Sequence, residues 1–165
     1  MSRIEAEIRT LDGEIAKGTE VLQRLGERLQ DYETSRLIGR KPGSEEAMVV
    51  AHLLSSYYTC AETIFLRISR FFENSLPPET WHQALLDKMT LSIEQVRPAV
   101  ICEEQRRHLM ELLKFRHFTR YYFELDYDWD KLHFLLKKFH QIHPTLNASL
   151  NRFREHLQRM LRDEA

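Results

Sequence analysis

The residue types that could do chemistry crowd into the stretch from Phe115 to Phe123. Arg116, His117, Arg120, Tyr121 and Tyr122 stand there within about two helical turns. That mixture suits work on RNA. Guanidinium forks hold phosphate oxygens, imidazole moves protons near neutral pH, and a phenol stacks on a base or donates a hydrogen bond. On a helix from Glu103 to about Leu125, Leu109, Leu112, Leu113 and Phe123 share one narrow stripe, and Arg116 and Arg120 fall in its middle. Two arginines one turn apart thus occupy positions where the periodicity asks for core. An unpaired buried charge is costly. Such arginines either pair with acids such as Glu62 and Glu73, line a polar cleft, or face another subunit.

Other polar residues read more plainly. His140 and His143 form an HxxH pair, but a metal site needs further ligands, so a solvated or core-edge pair is the preferred reading and no metal is expected. His82, next to Trp81, reads as a packing residue at a helix start. Arg97, before Pro98, either adds a third positive group to the cleft or caps a neighbouring helix. Tyr57 and Tyr58 read as core and interface packing. No Ser-His-Asp triad is arguable from spacing, no carboxylate pair stands out, and no cofactor is expected.

These side chains need helices to position them. Ser2 and Glu5 have the spacing of a capping box, and Ile4, Ile8, Leu11, Ile15, Leu22, Leu25, Leu29 and Tyr32 follow at steps of three and four, broken at Gly18. This heptad-like stripe marks a helix that packs along another. Residues 36–43 read as a loop. A second helix is predicted from Ser44 to about Asn74, ended by Ser75-Leu76-Pro77-Pro78. A short helix from about Glu79 to Met89 comes next, then an ambiguous stretch over 93–101 that could be an extended connector. After the arginine-bearing helix, Asp126 or Asp128 caps a last helix that Pro144 should kink or restart. The predicted fold class is all-α, an antiparallel bundle of about five helices. Residues 1–165 form one domain on this reading, with an N-terminal helix and loop over 1–43 and a core over 44–165.

Composition narrows the function classes. The chain has 24 Lys+Arg against 25 Asp+Glu and a formal net charge of -1, which argues against a dedicated DNA binder. All 5 glycines precede Ser44. A Rossmann turn, a P-loop or a tight hairpin needs glycine, so the main body has little means to build one. Cys60 and Cys102 form no CxxC pair, which suits a reducing cytosol. The first residues lack the apolar core of a signal peptide, and no apolar run is long enough for a membrane span. The expected location is the cytoplasm.

Several segments, taken in order, carry a resemblance. They are AHLLSSYY from Ala51, AETIF from Ala61, LPPETWHQALL from Leu76, RPAVI from Arg97, FRHFTRYYF from Phe115 and LDYD from Leu125. Over about Val49 to Leu132 the chain resembles the HepT-like branch of the HEPN superfamily, the toxin half of HepT/MNT toxin–antitoxin pairs. The resemblance implies a HEPN-like bundle that forms a homodimer, with the arginine motifs of two subunits facing across a cleft. It implies a metal-independent endoribonuclease and an MNT-type nucleotidyltransferase antitoxin that modifies the motif tyrosine. The family motif is an arginine, four residues, a histidine, one residue and a tyrosine. Here the arginine is Arg116, the histidine position holds Tyr121 and the tyrosine position holds Phe123. The residue chemistry and the resemblance together point to Arg116, His117, Arg120 and Tyr121 for catalysis, to Arg97, Arg116 and Arg120 for RNA phosphates, and to Tyr121 or Tyr122 for modification. The alternative is a catalytically degenerate HEPN scaffold that binds a nucleotidyltransferase partner or a nucleotide. A structural helical adaptor is a third reading, supported by the first helix alone.

Overall fold

The first helix starts on the cap its sequence predicts. In the computed structural model, which describes residues 2–73, 76 and 79–163, the Ser2 hydroxyl accepts from the Glu5 amide at 3.1 Å and the Glu5 carboxylate accepts from the Ser2 amide. Helix α1 then runs over Arg3–Tyr32. Its buried stripe is Ile8, Leu11, Ile15, Leu22 and Leu29, while Ile4 at the open end is exposed. The gap at Gly18 has a physical reason: a Cβ there would lie 2.6 Å from Cγ1 of Ile64 on the neighbouring helix. A π-helical turn, Glu33–Leu37, extends α1 before the loop that carries Gly39 at φ 73.

Helix α2 (Ser44–Phe72) is the central element, packing on every other helix of the bundle. It begins at the predicted Ser44, with Gly43 as its cap, and the Gly43 amide donates to Glu46 at 3.0 Å. Asn74, Ser75, Pro77 and Pro78, where the sequence places the stop signal, lie outside the described residues. Helix α3 (Trp81–Met89) follows. An irregular connector leads on, with an isolated antiparallel bridge between Ile93 and Arg97. It closes the end of α3, since the amides of Val100 and Ile101 both donate to the Met89 carbonyl, at 2.8 and 3.2 Å.

Helix α4 (Glu103–Tyr121) stops short of the predicted Leu125. Phe123, just past its end, is 84% exposed instead of buried. The chain turns through Leu125 at φ 60. Tyr127 folds back against Phe115, and the Trp129 indole donates to the Gly43 carbonyl at 3.2 Å. Of the two candidate caps, Asp128 does the work, accepting from the Asp130 amide at 2.9 Å. Helix α5 (Trp129–Asp163) passes through Pro144 without a restart. Pro144 and His140, whose carbonyl the ring frees, are both exposed, so water can satisfy that carbonyl.

The five helices bear out the all-α bundle. α1 packs between α2 and α5, and α4 packs on α2, α3 and α5. Among the described residues, no helix is long and apolar enough to cross a membrane.

Candidate functional site

A polar cluster sits on the seam of α2, α3 and α4. Its centre is Arg116, 7% exposed on the inner face of α4, against Glu62, 5% exposed on α2. Nη1 donates to Oε1 at 2.7 Å and Nη2 to Oε2 at 3.3 Å, a forked contact. Tyr58 lies one turn before Glu62 on α2. Its ring faces the guanidinium at 4.9 Å, and its hydroxyl donates to Glu62 Oε2 at 3.0 Å. Burial first, and then the Glu62 charge, push the Tyr58 phenol far above its ordinary value, so it stays a donor. Of the two arginines on the predicted stripe, one is therefore buried and paired with the acid that the sequence offered.

The third partner comes from α3. His82 Nδ1 lies 2.8 Å from Glu62 Oε2 and 3.0 Å from Arg116 Nη2. It can donate to the carboxylate or accept from the guanidinium, but not both. Two bare acceptors at the shorter distance would repel, so the proton belongs on Nδ1. Glu62 then orients the imidazole as the carboxylate of a catalytic triad does. Trp81 lies against the His82 ring at 3.6 Å, and the His117 ring meets it edge-on at 5.0 Å. His117 is half-buried. Its pKa is lowered by desolvation, then by His82, Arg116 and Arg120, which keeps it neutral and able to accept a proton at neutral pH.

The remaining predicted residues divide. Arg120 lies in the last turn of α4 and is exposed, not buried as the stripe implied. Among the described residues no carboxylate pairs with it, so its guanidinium is open to an anion. Tyr121 is 74% exposed. Tyr122 stacks on Phe118 at 4.7 Å and donates to the Asp126 carbonyl at 2.8 Å. Arg97 is not in the cluster. It is 2% exposed at the other end of α3 and donates to Glu73, to the Leu91 and Pro98 carbonyls at 2.9 and 3.1 Å, and to the Lys88 carbonyl at 2.9 Å. It therefore caps α3, the second of its two sequence readings, and has no donor left for a phosphate. His140 and His143 also part company: His140 pairs with Glu33 at 2.8 Å, and His143 is buried against Tyr57 at 2.7 Å. Among the described residues no group of three or more potential metal ligands forms.

Sequence reading offered Glu62 as an ion-pair partner only and assigned no site role to His82. A signal existed for Glu62, an acid flanked by Ala61, Ile64 and Phe65 on the most apolar helix. For His82 there was none, because α3 meets α4 only through the tertiary fold.

The protein is thus a helical bundle that gathers a buried arginine, its carboxylate partner and two histidines on one seam. A protein-family model described as HepT-like protein matches residues 49–157, and the chain belongs to that family, in the HEPN superfamily. No curated protein and no solved structure matches the chain.

Proposed function

We propose that this protein is the toxin of a HepT-type toxin–antitoxin pair, a metal-independent endoribonuclease of the cytoplasm that works at the cleft of a homodimer. The observation that carries this reading is the Glu62–His82–Arg116 cluster with His117 at its edge. It supplies imidazoles where the family motif has lost its histidine to Tyr121. Arg116, held by Glu62, builds the site. Arg120, unpaired at the rim, binds the scissile phosphate and stabilises its growing charge. His117 and His82 form the acid–base pair. One takes the 2′-hydroxyl proton as that oxygen attacks phosphorus. The other, which must enter as the imidazolium, gives its proton to the departing 5′-oxygen, leaving a 2′,3′-cyclic phosphate and a 5′-hydroxyl.

The test is cleavage of tRNA and mRNA by purified protein with chelator present, beside Arg120→Ala, His117→Gln and His82→Gln. Loss of about a hundredfold or more in either histidine variant is expected for an acid–base group. Absence of cleavage by folded, unmodified wild type would overturn the ribonuclease, and full activity in all three variants would overturn its assignment to this cluster.

The exposure of Phe118, Tyr121 and Phe123, 51%, 74% and 84%, favours a second use of the same end. An aromatic apron of this kind suits a protein partner. An MNT-type nucleotidyltransferase would cover it and reach Tyr121, the more accessible of the two candidate tyrosines. In a protein that cleaves nothing, this contact with a partner or a nucleotide would be the whole function.

A further inference from the structure

A second site lies at the far end of α4. The connector 98–102, the start of α4 and the C-terminal half of α5 enclose a cavity of about 680 Å³. From Gln105, on its wall, to Arg116 is roughly 16 Å along the helix, so this is not the cluster described above. Arg152, His156 and Arg159 face the cavity from one side of α5, and no carboxylate is among the residues that line it. Arg152 donates to the neutral Ser149 hydroxyl at 3.2 Å. Among the described residues Arg159 has no ion-pair partner. His156 Nε2 is buried and has no hydrogen-bond partner. Burial first, and then the Arg159 charge, lower the His156 pKa.

Like charges on one helix face are unfavourable, and so is a buried polar nitrogen with no partner. Both costs vanish when an anion enters. The other walls set the rest of the ligand. Val100, Ile101 and Phe153 are almost wholly buried, at 3%, 3% and 2% exposure, and form an apolar floor. Gln105 donates to Ser149 at 2.9 Å and fixes the hydroxyl beside Arg152. The volume falls within the range of small-molecule sites.

We propose that this cavity binds a phosphate monoester with a flat, largely apolar body, of the class of a nucleoside monophosphate. Arg152 and Arg159 take the phosphate oxygens, His156 Nε2 completes the head group, and the body lies on the floor. The proposal does not depend on ribonuclease activity.

The test is a calorimetric titration of the full chain with uridine 5′-monophosphate, uridine and inorganic phosphate, beside proton–nitrogen spectra that follow the His156 ring. The nucleotide should bind about tenfold or more tighter than either fragment, and should shift the His156 signals. Arg152→Ala with Arg159→Ala, both at exposed positions, should weaken it by about tenfold or more with an unchanged circular dichroism spectrum. Arg120→Ala should bind as wild type does, which separates this site from the cleavage site. A 5′-phosphorylated tetranucleotide that binds as well as the mononucleotide assigns the ligand to RNA ends, and one that is excluded assigns it to free nucleotides. Undetectable binding, equal affinity for inorganic phosphate, or full affinity in the double variant would overturn the proposal.

Discussion

Arg116 and Glu62 are a buried ion pair, and its two halves are unequal under mutation. Arg116→Ala leaves the Glu62 carboxylate in the core with its charge uncompensated. Breaking such a pair should cost about 3–5 kcal/mol in urea unfolding. Replacing both residues, Arg116→Met with Glu62→Leu, should recover part of that loss, because the desolvation of two charges disappears while the buried Tyr58 hydroxyl loses its acceptor. Equal destabilisation by the single and double replacements would mean that the pair holds the fold by shape alone. For the same reason Arg120, not Arg116, is the arginine whose loss reads out chemistry. His143 makes a second prediction at this scale. Burial lowers its pKa, so the folded state holds it neutral against Tyr57. As pH falls through the ordinary histidine value, the unfolded chain takes up a proton that the folded chain refuses. Stability therefore falls with pH from about 6.5 down to the lowered folded value and then levels off. Melting temperatures across that window should fall more steeply for wild type than for His143→Gln. His108, His117 and His156 are shifted the same way, so part of the slope should remain. Identical slopes would place the acid sensitivity elsewhere.

The elements meet at places where the absence of a side chain matters. A Cβ on Gly26 would lie 2.3 Å from the His143 ring. That ring cannot yield, since Tyr57 bonds it at 2.7 Å and Phe139 stacks on it at 5.2 Å. Gly26→Ala should therefore lower stability by about 1–3 kcal/mol, despite the gain of about 1 kcal/mol that alanine brings to a helix interior. Gly13, on the same helix, has nothing within 4 Å of the added carbon. Gly13→Ala should raise stability by up to about 1 kcal/mol. Thermal melts of the two variants should move in opposite directions; movement in the same direction would contradict the close packing of α1 on α5.

At the scale of the molecule, exposed apolar surface concentrates at one end. Phe118, Tyr121, Phe123 and Leu125 are 48% to 84% exposed where α4 leaves the bundle, and Met48 shares a small recess with Leu125. Surface of this kind on a small protein marks an interface. The proposed homodimer uses it, which would bring two copies of Arg120 to one cleft. Light scattering at micromolar concentration should give twice the mass of the chain, and Tyr121→Ser with Phe123→Ser should shift it toward the monomer. A wild-type monomer would remove the composite cleft from the proposed mechanism.

Local rules settled what depends on neighbours in the chain. The capping box at Ser2, the stripe of α1 and the starts of α2 and α4 follow from spacing and helix-end chemistry, which act over a few residues. So does the anomaly of Arg116, a charge at a core position, with Glu62 offered as its partner. The contents of the site required the tertiary structure. Periodicity assumes that a helix continues and that core lies beside it along its whole length. α4 ends at Tyr121, and Arg120 and Phe123, on the same stripe as Arg116, face solvent instead. His82 reaches Arg116 because α3 packs between distant parts of the chain, and no spacing encodes that meeting. Arg97 looked equally suited to a phosphate and to a helix end. Which carbonyls surround it was decided by how the connector folds over α3, since a buried guanidinium must satisfy its donors with whatever the fold places around it.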